Sequence, residues 1–245
     1  MQIKGFVLGA LCCALLTGAY TLLNGGVIGF GNEEAAGAAQ YVGKHDIKGS
    51  PYFAQPDIYN MKSTNTLTII SNFKTRQQST GYSCGPVAAG MVVENLLGKQ
   101  LHSEKEICKI MDTSTTKGTD CKGMVKYFKE IGWQVKSSVD NGSPKEYEKF
   151  LKFVKTNLQE GTPIIVENVD WGGHWRVIIG YDDMGTAHIG DDVLIMADPF
   201  DTSDHLQDGY NILSAERFFY MWFDAHLFKP GLRDKQWLTA RPKKA

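Results

Sequence analysis

The hydrophobic patterning of this chain changes period at Gly161, and that change restricts the fold more than any other feature of the sequence. Ahead of it, apolar residues recur at helical spacing with recognisable ends. Cys84-Gly85-Pro86 opens a helix running to about Leu97, with Gly98 as terminator and proline in the first turn, where a missing N–H costs nothing. Ser103 with Glu106 reads as a capping box, and Asp120 as the cap of a helix that places Met124, Phe128 and Ile131 on one face before Gly132. Ser143-Pro144-Lys145-Glu146 reads as a second capping box, starting a helix that buries Tyr147, Leu151, Val154 and Leu158. Beyond Gly161 the pattern becomes strand-like: Pro163 to Val169, His174 to Tyr181, Asp192 to Ala197. A short strand at Leu67–Ile69 precedes the helices, and an aromatic-rich helix over Ser214–Asp224 follows the strands. Helices first and strands second predict an α+β fold, with helices packed on an antiparallel sheet.

The N-terminus has a different character. Lys4 is the only charge before Glu33. Phe6 to Leu16 has the length of a signal-peptide core, and Thr17-Gly18-Ala19 offers small residues for cleavage. The uncharged run is also long enough to span a bilayer. The expectation is an exported protein, either secreted or attached to the membrane by this segment. Residues 1–30 form that leader, 31–51 a spacer, 52–228 a single catalytic domain, and 229–245 a mildly basic, solvated tail. With 26 basic and 27 acidic side chains the net charge is −1, so no cationic excess is available for a phosphate backbone and no nucleic-acid partner is expected.

Three cysteines remain after the leader: Cys84, Cys108 and Cys121. Cys84 stands where a loop turns into a helix, and the free N–H groups and partial positive charge of a helix N-terminus favour thiolate over thiol. Gly85 would leave the backbone open to an approaching carbonyl. The ordinary fate of a cysteine is a buried structural thiol, and this tripeptide alone does not decide between the two. If Cys84 is a nucleophile, Cys108 and Cys121 are left either to pair in a disulfide or to remain two buried thiols.

A histidine and a carboxylate complete the chemistry. His174 follows Gly172-Gly173, which would leave room for a substrate chain, and it begins a strand. Asp198 ends the next strand, ahead of Pro199. A hairpin with Tyr181 opposite Asp191 and no bulge sets His174 directly opposite Asp198, within the ~4.5–5.5 Å Cβ separation at which a carboxylate can orient an imidazole. Six residues before the cysteine, Gln78 could donate its amide to an oxyanion alongside the Cys84 N–H. Gln77 fits almost as well by composition.

Together, QSTGYSCGP, GGHWRVIIGYDD and VLIMADPF resemble papain-like cysteine peptidases, especially the group around the bacteriocin-processing, double-glycine leader peptidases. The resemblance implies Cys84 as nucleophile, His174 as base, Asp198 as its orienting group and Gln78 as oxyanion donor, over about residues 60–228. It implies a thiol-dependent peptidase that acts on a peptide or protein and needs no cofactor. No ATP-binding cassette or multi-span region accompanies these motifs, so a free-standing relative is expected. Transfer of the acyl group to an amine, cleavage of a non-peptide amide, and a catalytically silent peptide-binding domain are the competing readings.

Other residues receive no role. The aspartates at 182, 183, 191, 192, 201, 204 and 208 lack any calcium-loop spacing and read as solvated. His188, His205 and His226 have no metal-ligand spacing with the cysteines, so no metal is expected. Trp171 and Trp175 flank the histidine, either as an edge of the site or as core.

Overall fold

The computed structural model describes residues 56–202 and 206–243; the leader and the spacer expected above lie outside them. Seven strands form one antiparallel sheet: β1 (Leu67–Ile69), β2 (Gln134–Ser137), β3 (Ile164–Asn168), β4 (His174–Asp182), β5 (Val193–Ala197), β6 (Tyr210–Ser214) and β7 (Trp237–Arg241). Their order is β2-β7-β3-β4-β5-β6, with β1 paired to β4 beyond the end of β3.

Helices cover both faces. On one lie α1 (Cys84–Leu97), α2 (Glu104–Met111) and α3 (Cys121–Glu130), packed on Ile165, Trp175, Val177 and Ile179. A one-turn helix, α4 (Ser138–Asn141), follows β2. On the other face α5 (Tyr147–Gln159) and α6 (Ala215–Tyr220) pack on Ile164, Val166, Ile178 and Met196. This split follows from strand alternation: both faces of β3 and β4 are covered, so both strands read as nearly continuous apolar runs. Phe128, Phe150, Trp175 and Trp222 are at most 1% exposed, each worth roughly 1.5–3 kcal/mol of burial.

Several sequence signals act as read. Gly98 ends α1 at φ +72°, the Ser103–Glu106 capping box is formed, and Asp120 accepts the Gly123 N–H at the head of α3. Others do not. Ser143 donates its hydroxyl to Lys235 O instead of capping, and α5 starts at Tyr147 without a side-chain cap. The aromatic helix is confined to Ala215–Tyr220.

The largest correction concerns residues 229–245, expected as a solvated tail. Trp237, Leu238 and Ala240 are buried in β7, which lies between β2 and β3. The segment carries six basic residues, but the run of buried positions 237–240 decides the structure. Cys108 and Cys121 are not disulfide-bonded; the Cys121 thiol lies 3.6 Å from Ser138 Oγ. Nor are all the aspartates solvated: Asp192 is buried and accepts the Tyr181 hydroxyl, and Asp201, also buried, accepts the Gly209 N–H.

Candidate active site

The loop ahead of Cys84 is held by a residue on the next helix. Glu104, in the first turn of α2, accepts the Ser79 N–H at 3.0 Å and the Ser83 hydroxyl at 2.5 Å. Thr80 donates its own hydroxyl to Ser83. Ser83 therefore leaves α1 without a side-chain cap, and the first-turn N–H groups, which have no partner inside the helix, stay available at Cys84.

Cys84 begins α1 and is 7% exposed. The backbone N–H groups of Trp175 and Gly85 donate to its sulfur, which sets the thiol one residue from His174 along β4. Burial outweighs those donors and pushes the thiol up to about 12, assisted by the nearby charges of Glu167 and Asp198. The helix terminus acts in the anticipated direction, but the desolvation of a buried sulfur is larger.

His174, at the start of β4, is buried, and its Nε2 lies 2.7 Å from Asp198 Oδ1. An ionised Asp198 can only accept, so Nε2 carries the proton and Nδ1 is the basic nitrogen of the neutral ring. Burial lowers the His174 pKa, and the Asp198 charge only partly opposes it. Asp198 itself feels burial first, yet the charges of Arg176 and His174 hold its carboxyl well below the usual range.

The pairing that brings these residues together is not the one read from sequence. Val177 pairs with Ala197, and a bulge between Ile178 and Gly180 shifts the rest, so that Tyr181 faces Leu194. Continuing that register sets Arg176, not His174, opposite Asp198. His174 reaches Asp198 diagonally, from two residues along the same face, a separation that long side chains span.

Arg176 was missed for the same reason. Its Nε donates to Asp198 Oδ2 at 2.6 Å, and its Nη1 lies 2.6 Å from Asp170 Oδ2. A buried arginine inside an apolar strand was the available signal, since such a charge needs a buried partner.

Gln78 is 2% exposed. Its Nε2 donates one hydrogen to Thr80 O at 2.7 Å, and its Oε1 is buried without a partner. Gln77 is not solvated either: Nε2 donates to Asp198 O, and Oε1 accepts the Asp201 N–H. With the Gln78 N–H on Pro199 O, both glutamines tie the loop ahead of Cys84 to the end of β5.

Two glycines have structural reasons of their own. A Cβ at Gly85 would stand 2.8 Å from Met124 Sδ and 3.3 Å from Trp175. One at Gly173 would stand 2.6 Å from Leu227 and 3.1 Å from Glu167 Oε1. Both allow close packing of the protein on itself, while Gly172 has open space around it. Glu167 was also unanticipated: Oε2 has no partner, and burial, reinforced by the charges of Asp224 and Asp120, raises its pKa well above the ordinary value.

The two tryptophans divide the roles left open for them. Trp175 is core, donating Nε1 to Thr119 O. Trp171 is exposed and meets His174 edge-on, with ring centroids 5.0 Å apart.

The model of the peptidase C39-like family matches residues 70–222, more than half of the sequence. The chain belongs to the C39-like peptidase family. As a member it is a cysteine peptidase, and the match takes in Gln78, Cys84, His174 and Asp198. Among solved structures, this C39-like peptidase is similar to the peptidase domain of Streptococcus ComA, a bifunctional ABC transporter of a quorum-sensing pathway (19% identity, TM-score 0.44, covering 70% of this chain and 99% of that one). It is also similar to a Bacillus anthracis protein described as a C39-like peptidase (13%, TM-score 0.49, covering 74% and 100%). A third is a double-glycine-motif protease from an AMS/PCAT transporter, solved with the leader peptide (17%, TM-score 0.44, covering 69% and 91%). No curated protein gives a significant match. Among the described residues of the C39-like peptidase, no helix is long and apolar enough to cross a membrane.

Proposed function

We propose that this C39-like peptidase hydrolyses peptide bonds through an acyl-enzyme on Cys84, with His174 as proton carrier, Asp198 as its orienting carboxylate and Gln78 as an oxyanion donor. The observation that carries the reading is the 2.7 Å His174–Asp198 bond beside a thiol that accepts the Trp175 N–H. Chemically competent groups from α1, β4 and the end of β5 thereby converge.

Cys84 starts as a thiol and His174 as a neutral imidazole. As sulfur attacks the substrate carbonyl carbon, Nδ1 takes the thiol proton and a C–S bond forms. The carbonyl oxygen becomes an oxyanion held by the second Nε2 hydrogen of Gln78 and by the Cys84 N–H. Collapse breaks the C–N bond as His174 passes its proton to the leaving amine. Water then attacks the thioester, giving a proton to His174 and restoring the thiol as the acid departs. Asp198 stays ionised and stabilises the imidazolium that forms in each half-reaction.

Intact-mass analysis during turnover of a peptide pool tests the reading. Wild-type protein should carry thioester adducts, labile to hydroxylamine, that Cys84→Ala lacks. Cleavage that survives in Cys84→Ala would refute it, and products carrying an added amine in place of water would identify acyl transfer instead.

A further inference from the structure

Trp171 is held in an unusual way. It lies in the 3-10 turn Asp170–Gly172 between β3 and β4 at φ +51°, ψ 24°, a left-handed conformation that a bulky residue rarely adopts. The turn is pinned: the Asp170 carboxylate is paired to Arg176, the Gly173 N–H donates to Asp170 O, and Gly172 O accepts the Ala225 N–H. The result is an indole 63% exposed to solvent at the edge of the candidate active site. Non-glycine residues kept in this region of backbone space cluster where function needs a side chain presented in a fixed direction.

The ring does not stand alone. Its centroid is 5.0 Å from Phe200 as well as from His174, and the Arg176 guanidinium lies 5.9 Å from it. Phe200 is in turn tied to the catalytic carboxylate, donating its N–H to Asp198 Oδ1. Trp171 and Phe200 are two walls of a cavity of about 350 Å³, whose lining also includes the apolar Leu213, Phe218 and Met221 and the polar Asn211 and Arg217. That volume is at the small end for ligand sites, suited to one side chain and not to a length of peptide.

We propose that Trp171 and Phe200 form the subsite for the leaving-group side of the substrate, accepting an aromatic or long aliphatic side chain on the first residue after the scissile bond. The proposal rests on the acyl-transfer reading above, because His174 can protonate only an amine that lies beside it. The departing segment must therefore pass the surface around His174, and both rings lie against that histidine. A fixed aromatic plate beside the imidazole would dock the departing residue at little entropic cost, since the ring is already held in place.

Cleavage of a random peptide library, with cut sites read by mass spectrometry, tests this in the wild type, Cys84→Ala and Trp171→Gly. Glycine removes the ring while accepting the left-handed backbone, so the turn should persist, and an unchanged melting temperature would verify it. Aromatic and long aliphatic residues should be enriched roughly tenfold or more over glycine after the cut in the wild type, a span within reach of a hydrophobic pocket. In folded Trp171→Gly that preference should fall to within about threefold while cleavage before glycine continues, again on the scale of such pockets. Cys84-dependent cleavage without apolar enrichment in the wild type would overturn the subsite and leave the catalytic reading standing. Equal loss before apolar residues and before glycine would also overturn it, as the ring would then serve only to hold His174. Cleavage that persists in Cys84→Ala would remove the catalytic reading and the subsite with it.

Discussion

Replacing Arg176 with methionine should be among the most damaging single changes in the protein, although no reacting atom touches this residue. The side chain is 3% exposed and holds Asp198, itself 1% exposed, at 2.6 Å. Removing one partner of a buried ion pair costs about 3–5 kcal/mol, because the other charge stays behind without compensation. Asp170 adds little, since its carboxylate is 30% exposed and water can replace the guanidinium. For a domain of this size each kcal/mol shifts the midpoint by about 2–4 °C, so Arg176→Met should melt about 6–20 °C below wild type at pH 7. The pH dependence has a definite sign. Arg176 depresses the Asp198 pKa below its unfolded value of roughly 3.9, so the stability it confers is complete above that pH and fades as pH falls toward the folded-state value. In the variant, burial acts on Asp198 with only His174 and the Phe200 N–H to oppose it, so its carboxyl takes up a proton more readily in acid. The deficit should therefore be larger at pH 7 than at pH 3. Neutralising the remaining charge, in Arg176→Met with Asp198→Asn, should recover part of the loss. Calorimetry of the three variants at both pH values decides. A deficit independent of pH, or a double variant less stable than the sum of the single changes, would refute the argument.

Other outcomes follow from the same site. Because burial pushes Cys84 up to about 12, its alkylation by iodoacetamide should accelerate steadily from pH 7 to 10; rapid labelling at pH 5 to 6 would show a thiolate at rest. The acid limb of kcat/KM should lie below the ordinary histidine pKa, since burial lowers His174, and in any Arg176 variant that folds it should move to higher pH, because a repelling positive charge has gone; an unmoved limb would contradict this. Gln78→Ala should reduce kcat by about 10²–10³ with little change in KM, the usual loss for one oxyanion donor. Gln77→Ala should lower both stability and kcat, since it forfeits two hydrogen bonds that fix Asp198 and Asp201; a fully active, fully stable variant would show that the backbone holds this turn by itself.

What could be read from sequence was what depends on near neighbours. The extent of α1, the caps at Ser103 and Asp120 and the three strands after Gly161 are set by residues within a few positions of one another, and the structure has them. The convergence of His174 on Asp198 was also legible, because both lie on strands joined by a short loop. Its register was not. The bulge near Ile179 is marked in the sequence only by Gly180 inside the strand, and it moves the facing position from His174 to Arg176. Glu104, distant in sequence from the loop it holds, looked like an ordinary charge in a first helical turn. β7 was hidden by its flanking lysines and arginines, and β2 by being only four residues long. For Glu104 and β7 the deciding contact joins segments far apart in the chain, where local pattern carries little information.

The position of β7 sets an order of events in time. Residues 237–241 close the gap between β2 at 134–137 and β3 at 164–168, strands that end 100 and 69 residues before β7 begins. While the chain is being made from its N-terminus, β3 can already pair with β4, but β2 has no neighbour in the sheet until β7 arrives. α1 packs directly on β4 and needs no help from β7, but the sheet is completed by a segment synthesised after every candidate catalytic residue. The seven-stranded sheet is therefore closed only when almost all of the described chain has appeared.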